Sequence, residues 1–507
     1  MPKQPQERLT FSNFLLYFVI GTIPILFGAV PTWVWSFYVA VIYLAYLIQS
    51  WQAQENDPET LGKTGRVFVS LLLAWSFFQI VPLPRTILAV LSPWKSMQST
   101  QALSLIDKTE FWEAITYSWR VSLAEISFIL GLLLLYLLCR DAFKMRRETK
   151  TIVWIMIALG CFEASYGIIQ ALVPAVGVLW VDSSYAYIGK ARGTYINRNN
   201  FAGLMEMVLP VTIGYTVAIG YWPLRGKLKR ILAYDRLNQV IFFTIIIITL
   251  LLGLVFSISR AGIMGFMIAL LVFFIISRIT VKRKPMVLYV MVSAVLVLFI
   301  IYGATMGFKP VFDRFLRIGS DTSRLDIWKD SLAMAKAHPL GVGLGNYEHI
   351  YPVYQVNFAP HLRVLDAHND YLQVLNESGW PGFIVLVGGY LFFMGSRIRR
   401  LIAMNPEYDP LLFFLGIGAI SGLAAIGFHS FFDFNLQIPA NCVYFVVLMA
   451  LVDTAVMRDK RRRLEGEKVR ATLPEAGRAG LSRHSAGSPV RGRKLKGQRV
   501  GIKKVRR

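Results

Sequence analysis

The sequence predicts an all-α integral membrane protein with about twelve membrane-spanning helices. Three observations carry that prediction. The 507 residues have a mean hydropathy of +0.50 and are 55% hydrophobic, more than a soluble core can hide. Apolar runs of about 20 residues, the length that crosses a bilayer core, recur along the chain. One long polar stretch lies between such runs, and irregular polar backbone is excluded from lipid because its amide groups would lack partners.

The candidate spans fall near 12–29, 33–50, 67–83, 121–139, 151–173, 200–219, 239–257, 261–277, 286–307, 380–396, 411–431 and 439–457. The N-terminal stretch shows no signal-peptide cleavage pattern, so the first span is expected to be retained. With both termini in the cytoplasm, the cytoplasmic connections hold 39 of the 54 Lys and Arg, among them RDAFKMRRETK, LRGKLKR and VKRK. The other face holds 15, although it includes the long 308–379 loop. Basic residues favour the cytoplasmic side, so that loop is expected to be periplasmic and the protein to sit in a bacterial inner membrane.

The net charge of +24 is uneven, with residues 458–507 contributing +14. That tail is rich in Gly, Ser, Arg and Lys and is expected to be a disordered cytoplasmic segment, separate from a polytopic membrane domain over 1–457. Its nearest partner would be anionic lipid. No recognition fold accompanies the charge, so nucleic acid is not expected. Cys139, Cys161 and Cys442 have neither CxxC nor metal-ligand spacing and indicate no disulfide framework or zinc site.

In chain order, residues 1–83 give three spans with little polar chemistry. Residues 84–120 form an outer loop in which FWEAITYSW suits the membrane interface. Spans five and six contain Glu163 and Glu206. An ionisable group at membrane depth is a functional candidate by default, weighed here against a hydrogen-bonded structural glutamate facing other helices. The next outer loop ends KARGTYINRNNFAG, where Lys190, Arg192 and Arg198 place three positive charges among Asn197, Asn199 and Asn200. On the outer face this runs against the usual bias and suggests an anion site. The SISRAG turn sets Arg260 where it can snorkel to headgroups or point at a phosphate.

The stretch from Ser323 to Gly382 holds four of the six histidines. Ser323 followed by Asp326 suits a helix start, and Leu325, Trp328, Leu332 and Ala335 mark its apolar face. His338-Pro339 ends it. A second helix is expected from Ala367-His368 to Ser378-Gly379, with His368 in its first turn and a membrane helix following from Trp380-Pro381. PLGVGLGNY is not a nucleotide loop, because no strand precedes it and no Lys-Ser/Thr follows. Its glycines suit turns or close backbone packing. In HSFFDFNLQIPAN, His429 falls at a span end, and Asp433 either orients a basic group or caps the next helix.

RGTYINRNNFAG, the SRAG turn, SRLDIWKDSL with HPLGVGLGNY, AHNDYLQVLNESGWPG and HSFFDFNLQIPAN together resemble the O-antigen ligase and Wzy-type polymerase superfamily over about 190–450. The resemblance implies a GT-C-like helical fold and a glycan donor on undecaprenyl diphosphate, used at the outer face without metal or other cofactor. The acceptor would be a sugar hydroxyl, on lipid A core (ligase) or on another lipid-linked chain (polymerase); protein O-oligosaccharyltransferases share the motifs. It carries Arg192, Arg260, Arg324 and His368 over as site residues, with Arg198 and Lys190 beside them and Asn369 and Asp433 in support. Arginine binds phosphate oxygens bidentately and stays charged, so Arg324 and its companions suit the diphosphate. His368 suits the acceptor hydroxyl as a general base. A transporter or flippase of lipid-linked sugar is the alternative from another class, and it would favour paired, broken spans in two halves.

A cysteine at Asn357 should be labelled by an impermeant thiol reagent in cells permeable only at the outer membrane. Labelling confined to lysed inner membranes would reverse the topology.

Overall fold

The computed structural model describes residues 10–52, 61–107, 110–173, 175–179, 188–221, 235–281, 322–359 and 361–472. The chain divides into two units, Met1–Val456 and Met457–Arg507. Fifteen helices are described: α1 (Phe11–Thr22), α2 (Thr32–Gln52), α3 (Lys63–Phe78), α4 (Arg85–Leu91), α5 (Pro93–Ser104), α6 (Trp119–Ala142), α7 (Arg146–Leu172), α8 (Arg198–Gly220), α9 (Asp235–Phe256), α10 (Arg260–Thr280), α11 (Thr322–Ala337), α12 (Tyr347–Tyr354), α13 (Asp370–Ala403), α14 (Pro410–His429) and α15 (Pro439–Thr472). The strands β1 (Leu83–Pro84) and β2 (Trp112–Glu113) pair antiparallel. Among the described residues nine helices are long and apolar enough to cross a membrane. The chain is therefore an all-α, multi-pass membrane protein.

Two expected spans come out shorter. Over 12–29, α1 has 12 residues, then Pro24 and a tight turn in which Phe27, Gly28 and Ala29 all take positive φ. Over 67–83, α3 has 16 residues and stops at Phe78, because Leu83–Pro84 leaves the helix to pair with Trp112–Glu113. The expected span at 286–307 and the first part of the long loop lie outside the described residues.

The bundle is built around α8 and α14, which pack on each other and are buried on nearly every side. Small residues let their backbones touch. A Cβ on Gly214 would collide with the carbonyl oxygen of Phe414, and one on Gly418 with that of Pro210. Membrane helices associate through such close packing, because lipid removes the hydrophobic drive between them. Flanking α8 are α7, α9 and α10, with Gly160 of α7 facing Val208. Leu448 and Ala455 of α15 face Gly422 and Gly416 of α14. Glu206 of α8 and His429 of α14, 3.1 Å apart and both fully buried, pin the central pair. Glu163 accepts from the amide (2.8 Å) and hydroxyl (2.7 Å) of Thr194. Both glutamates thus make the hydrogen-bonded structural contacts weighed in the sequence.

At one end of the bundle α3 to α6 grip the PLGVGLGNY segment. Gln79 donates to Leu340 O (2.9 Å) and Glu377 O (3.1 Å), and the amide of Tyr117 donates to Val342 O (3.1 Å). Gly343, at φ 96°, presses its backbone against Thr116, where a side chain would collide. The 84–120 segment, expected as an outer loop, is packed in part, while Trp112 and Trp119 stay exposed. Phe111 and Ile115 are buried with Leu83 and Leu88 in a small core of their own. In the long loop, Asp330 of α11 accepts from the amides of Asn357 (3.1 Å) and Phe358 (3.1 Å) and so holds α12's exit. Val356, 83% exposed, is the neighbouring label position that spares those bonds.

The tail differs from its expectation, because α15 runs on to Thr472. RDKRRRLEGEKVR is rich in strong helix formers and extends a helix that is already nucleated. Residues 473–507 lie outside the described residues.

Gly214→Ala should lower the thermal midpoint in detergent by an overpacking cost of about 1–3 kcal/mol, despite the better helix propensity of alanine. Gly388→Ala, facing open space on α13, should be neutral or stabilising. Equal midpoints for the two variants would count against the close α8–α14 crossing.

Candidate active site

A buried carboxylate organises the end of the bundle where α14 finishes. Asp433, 1% exposed, follows α14 in the turn that leads to α15. Its Oδ1 lies 3.3 Å from His368 Nδ1, and its Oδ2 lies 3.3 Å from Arg324 Nη2. Asn199 Nδ2 donates to the same Oδ2. The amide of Phe434 donates to Oδ1 at 3.0 Å, and Arg324 Nη1 donates to Phe432 O at 2.6 Å. Burial alone would disfavour the ionised carboxylate. The His368 hydrogen bond and the Arg324 and His368 charges outweigh it and hold the carboxyl below the usual aspartate range.

His368 is not in the first turn of a helix, as the sequence suggests. Asn369 is the N-cap of α13, accepting from the amides of Tyr371 (3.0 Å) and Leu372 (3.1 Å), and the helix starts at Asp370. The cap requires extended backbone at Asn369, which leaves His368 outside the helix at φ 49°. That left-handed conformation carries strain for a non-glycine residue and is held from both sides. The amide of Asp370 donates to Ser430 O (2.9 Å), and Asp370 Oδ2 accepts from the amide of Leu436 (3.0 Å). On the other side Trp328 Nε1 donates to Ala367 O (3.1 Å), and the amide of Ala367 donates to Gln373 Oε1 (3.0 Å). The ring packs edge-on against Phe434, with centroids 4.9 Å apart. An ionised carboxylate only accepts, so the Nδ1 proton points at Asp433 and Nε2 is the nitrogen turned away from it. The side chains of His368 and Arg324 are 31% and 36% exposed, so both reach solvent from a buried anchor.

The other expected basic residues lie on α11, at the start of α8 and in the segment before it, and at the α9–α10 turn. Arg324, on α11, contacts Asp433 directly. Arg198 opens α8 and donates through Nη1 to Ser257 O (3.1 Å) and Ile258 O (2.9 Å), joining the NRNN segment to the α9–α10 turn. Arg260 follows that turn as the first residue of α10, behind the N-cap Ser259. Arg192 is buried, with its amide on Gln170 Oε1 (3.3 Å) and Nη1 on Ile196 O (3.4 Å). It shares with Lys190 the segment that Glu163 anchors through Thr194. Asn369 supports the site by capping α13 rather than by touching Asp433. The sequence reading did not single out Asn199 as a partner of Asp433; its only signal was the clustering of asparagines around Arg198.

Asp433→Asn should lower stability by about 1–3 kcal/mol at neutral pH, through lost charged hydrogen bonds. The folded-state pKa is depressed, so the contribution of the carboxylate is present above the unfolded aspartate value of about 4 and lost as pH falls through the lower folded value. The gap between wild type and variant should therefore hold from pH 7 to 5 and shrink in stronger acid. Melting curves across that range check it, and a pH-independent gap would show that ionisation is not what the site relies on.

Residues 245–387, which include Arg260, Arg324 and His368, match the family model described as O-antigen ligase (Wzy_C). No curated protein matches the chain. Members of this family act in glycosyl transfer during O-antigen and polysaccharide assembly. Over that stretch, a little more than a quarter of its length, the chain is similar to the O-antigen ligase family.

Proposed function

We propose that the protein transfers a glycan from undecaprenyl diphosphate to a sugar hydroxyl at the outer face of the inner membrane. The observation that carries this reading is the meeting of His368 and Arg324 on one buried carboxylate, Asp433. In the proposed step the acceptor oxygen bonds to the anomeric carbon while the bond from that carbon to the diphosphate oxygen breaks. His368 Nε2 takes the hydroxyl proton, and Asp433 stabilises the resulting imidazolium through Nδ1–H. This division of labour follows the logic of a base oriented by a buried carboxylate. Arg324 neutralises charge on the departing diphosphate, where fixed donors act most strongly. Arg192, Arg198, Arg260 and Lys190 are proposed as further donor contacts, because their segments surround the same end of the bundle. Asn369 and Asp433 are proposed to position His368.

Two variants separate the roles. General-base help is typically about 10²–10⁴-fold, so His368→Ala should lower turnover by that order while donor binding survives. Arg324→Ala should weaken donor binding as well as turnover, since a phosphate contact is lost in ground and transition states alike. The measurements are donor affinity and transfer rate in nanodiscs with a lipid-linked glycan, and product size separates ligation from polymerisation. Wild-type transfer by His368→Ala would make the histidine structural, and loss of donor binding in that variant alone would exchange the two roles.

A further inference from the structure

The proposed reaction leaves one carboxylate beside His368 without a task. Asp366 lies two residues before His368, so their Cα atoms are at most about 7.6 Å apart. Its placement is set by Gln373, which is 4% exposed in the first turn of α13. The amide of Ala367 can only donate, so the oxygen of Gln373 must face it, at 3.0 Å. That turns Gln373 Nε2 toward two carboxylates, Asp366 Oδ1 at 3.2 Å and Glu377 Oε1 at 3.3 Å. Glu377 is occupied on its other oxygen as well, which accepts from the amide of Gly345 at 3.0 Å. Asp366 differs. Its Oδ2 takes no hydrogen bond among the described residues, and the residue is partly exposed.

The fold does not account for the charge on Asp366. Burial pushes its carboxyl up to about 6, the Gln373 hydrogen bond and the His368 charge pull it down, and Asp433 and Glu348 of α12 push it up again. Glu348 is itself paired with Arg363 at 3.3 Å. An asparagine would accept the same bond from Gln373 without setting a second anion near Asp433. A charge kept at such a cost, beside a candidate base, marks a functional position. It also divides the site by sign. Arg324 attracts a diphosphate, whereas Asp366 repels one and favours an uncharged polyol, whose hydroxyls donate strongly to an ionised carboxylate.

We infer that Asp366 binds the acceptor sugar, its Oδ2 accepting from a hydroxyl next to the one whose proton His368 takes. The inference rests on the glycan transfer proposed above. Gln373 is the positioning residue, because one side chain fixes both the Asp366 carboxylate and the backbone that leads into His368.

The full chain in nanodiscs is given lipid-linked glycan as donor. Lipopolysaccharide lacking O-antigen and a second portion of lipid-linked glycan are offered separately as acceptors, and donor affinity, acceptor KM and turnover are read. With the acceptor that wild type uses, Asp366→Ala should raise the acceptor KM about 10–100-fold, the worth of a hydrogen bond to a charged group, and Asp366→Asn should raise it less. Donor affinity should stay at the wild-type value in both, which also shows that the variants fold. Turnover at saturating acceptor should stay within about threefold, since uniform binding is what is lost. A wild-type acceptor KM in both variants would overturn the inference, and so would a loss of turnover with KM unchanged or a parallel loss of donor affinity. Transfer by wild type to neither acceptor would instead sink the functional reading on which the inference rests.

Discussion

Asp433 is an anion with almost no access to water, and such a group persists only where donors surround it. Here they come from three distant segments: Asn199 before the core of α8, Arg324 on α11 and His368 ahead of α13. Each segment carries strain or exposure of its own. His368 is left-handed, Arg324 is 36% exposed and the asparagine run is polar at a helix mouth. Removing the carboxylate would leave all three without a common reason for their placement.

The carboxylate stands where it does because of the α8–α14 crossing. The two helices run antiparallel, so the start of α8 and the finish of α14 lie at the same end. Asn199 is the second residue of α8 and Asp433 lies four residues past His429, the last of α14. Backbone contact through Gly214 and Gly418 leaves little freedom in that crossing, and the buried Glu206–His429 pair holds it one turn below the site. The candidate chemistry thus grows out of the most tightly packed part of the molecule, as suits a site that must hold its geometry.

The opposite end is also pinned by a buried aspartate, with a different outcome. Asp453 of α15 receives Arg397 at 2.5 Å, Arg140 at 3.3 Å and Tyr136 OH at 2.9 Å. That cluster joins α6, α13 and α15 and is closed to solvent at Asp453 and Arg140. At the Asp433 end the partners remain partly exposed and able to meet a ligand; at the Asp453 end the same kind of pairing locks helices together. Accessibility, rather than residue type, distinguishes the two.

Local physics made much of this legible in the sequence. Apolar length announced the spans, His338-Pro339 and Gly379 marked the helix ends, and the glycines of PLGVGLGNY read as close packing. Gly379 indeed breaks α13 at φ 65° before Trp380 continues it. Composition, periodicity and backbone preference are set by neighbours in the chain, so one sequence suffices for them. The pairing of His368 with Asp433, 65 positions apart, and of Asn199 with Asp433, 234 apart, is not local. It depends on how the helices cross, and so does the use of Arg198 to hold the α9–α10 turn. The position of His368 outside its helix was decided in the same way, by competition for the cap that Asn369 won. The chain alone determined a membrane bundle with basic and histidine-bearing segments; the tertiary structure decided which of them share one carboxylate, because only packing sets the distances between groups far apart in sequence.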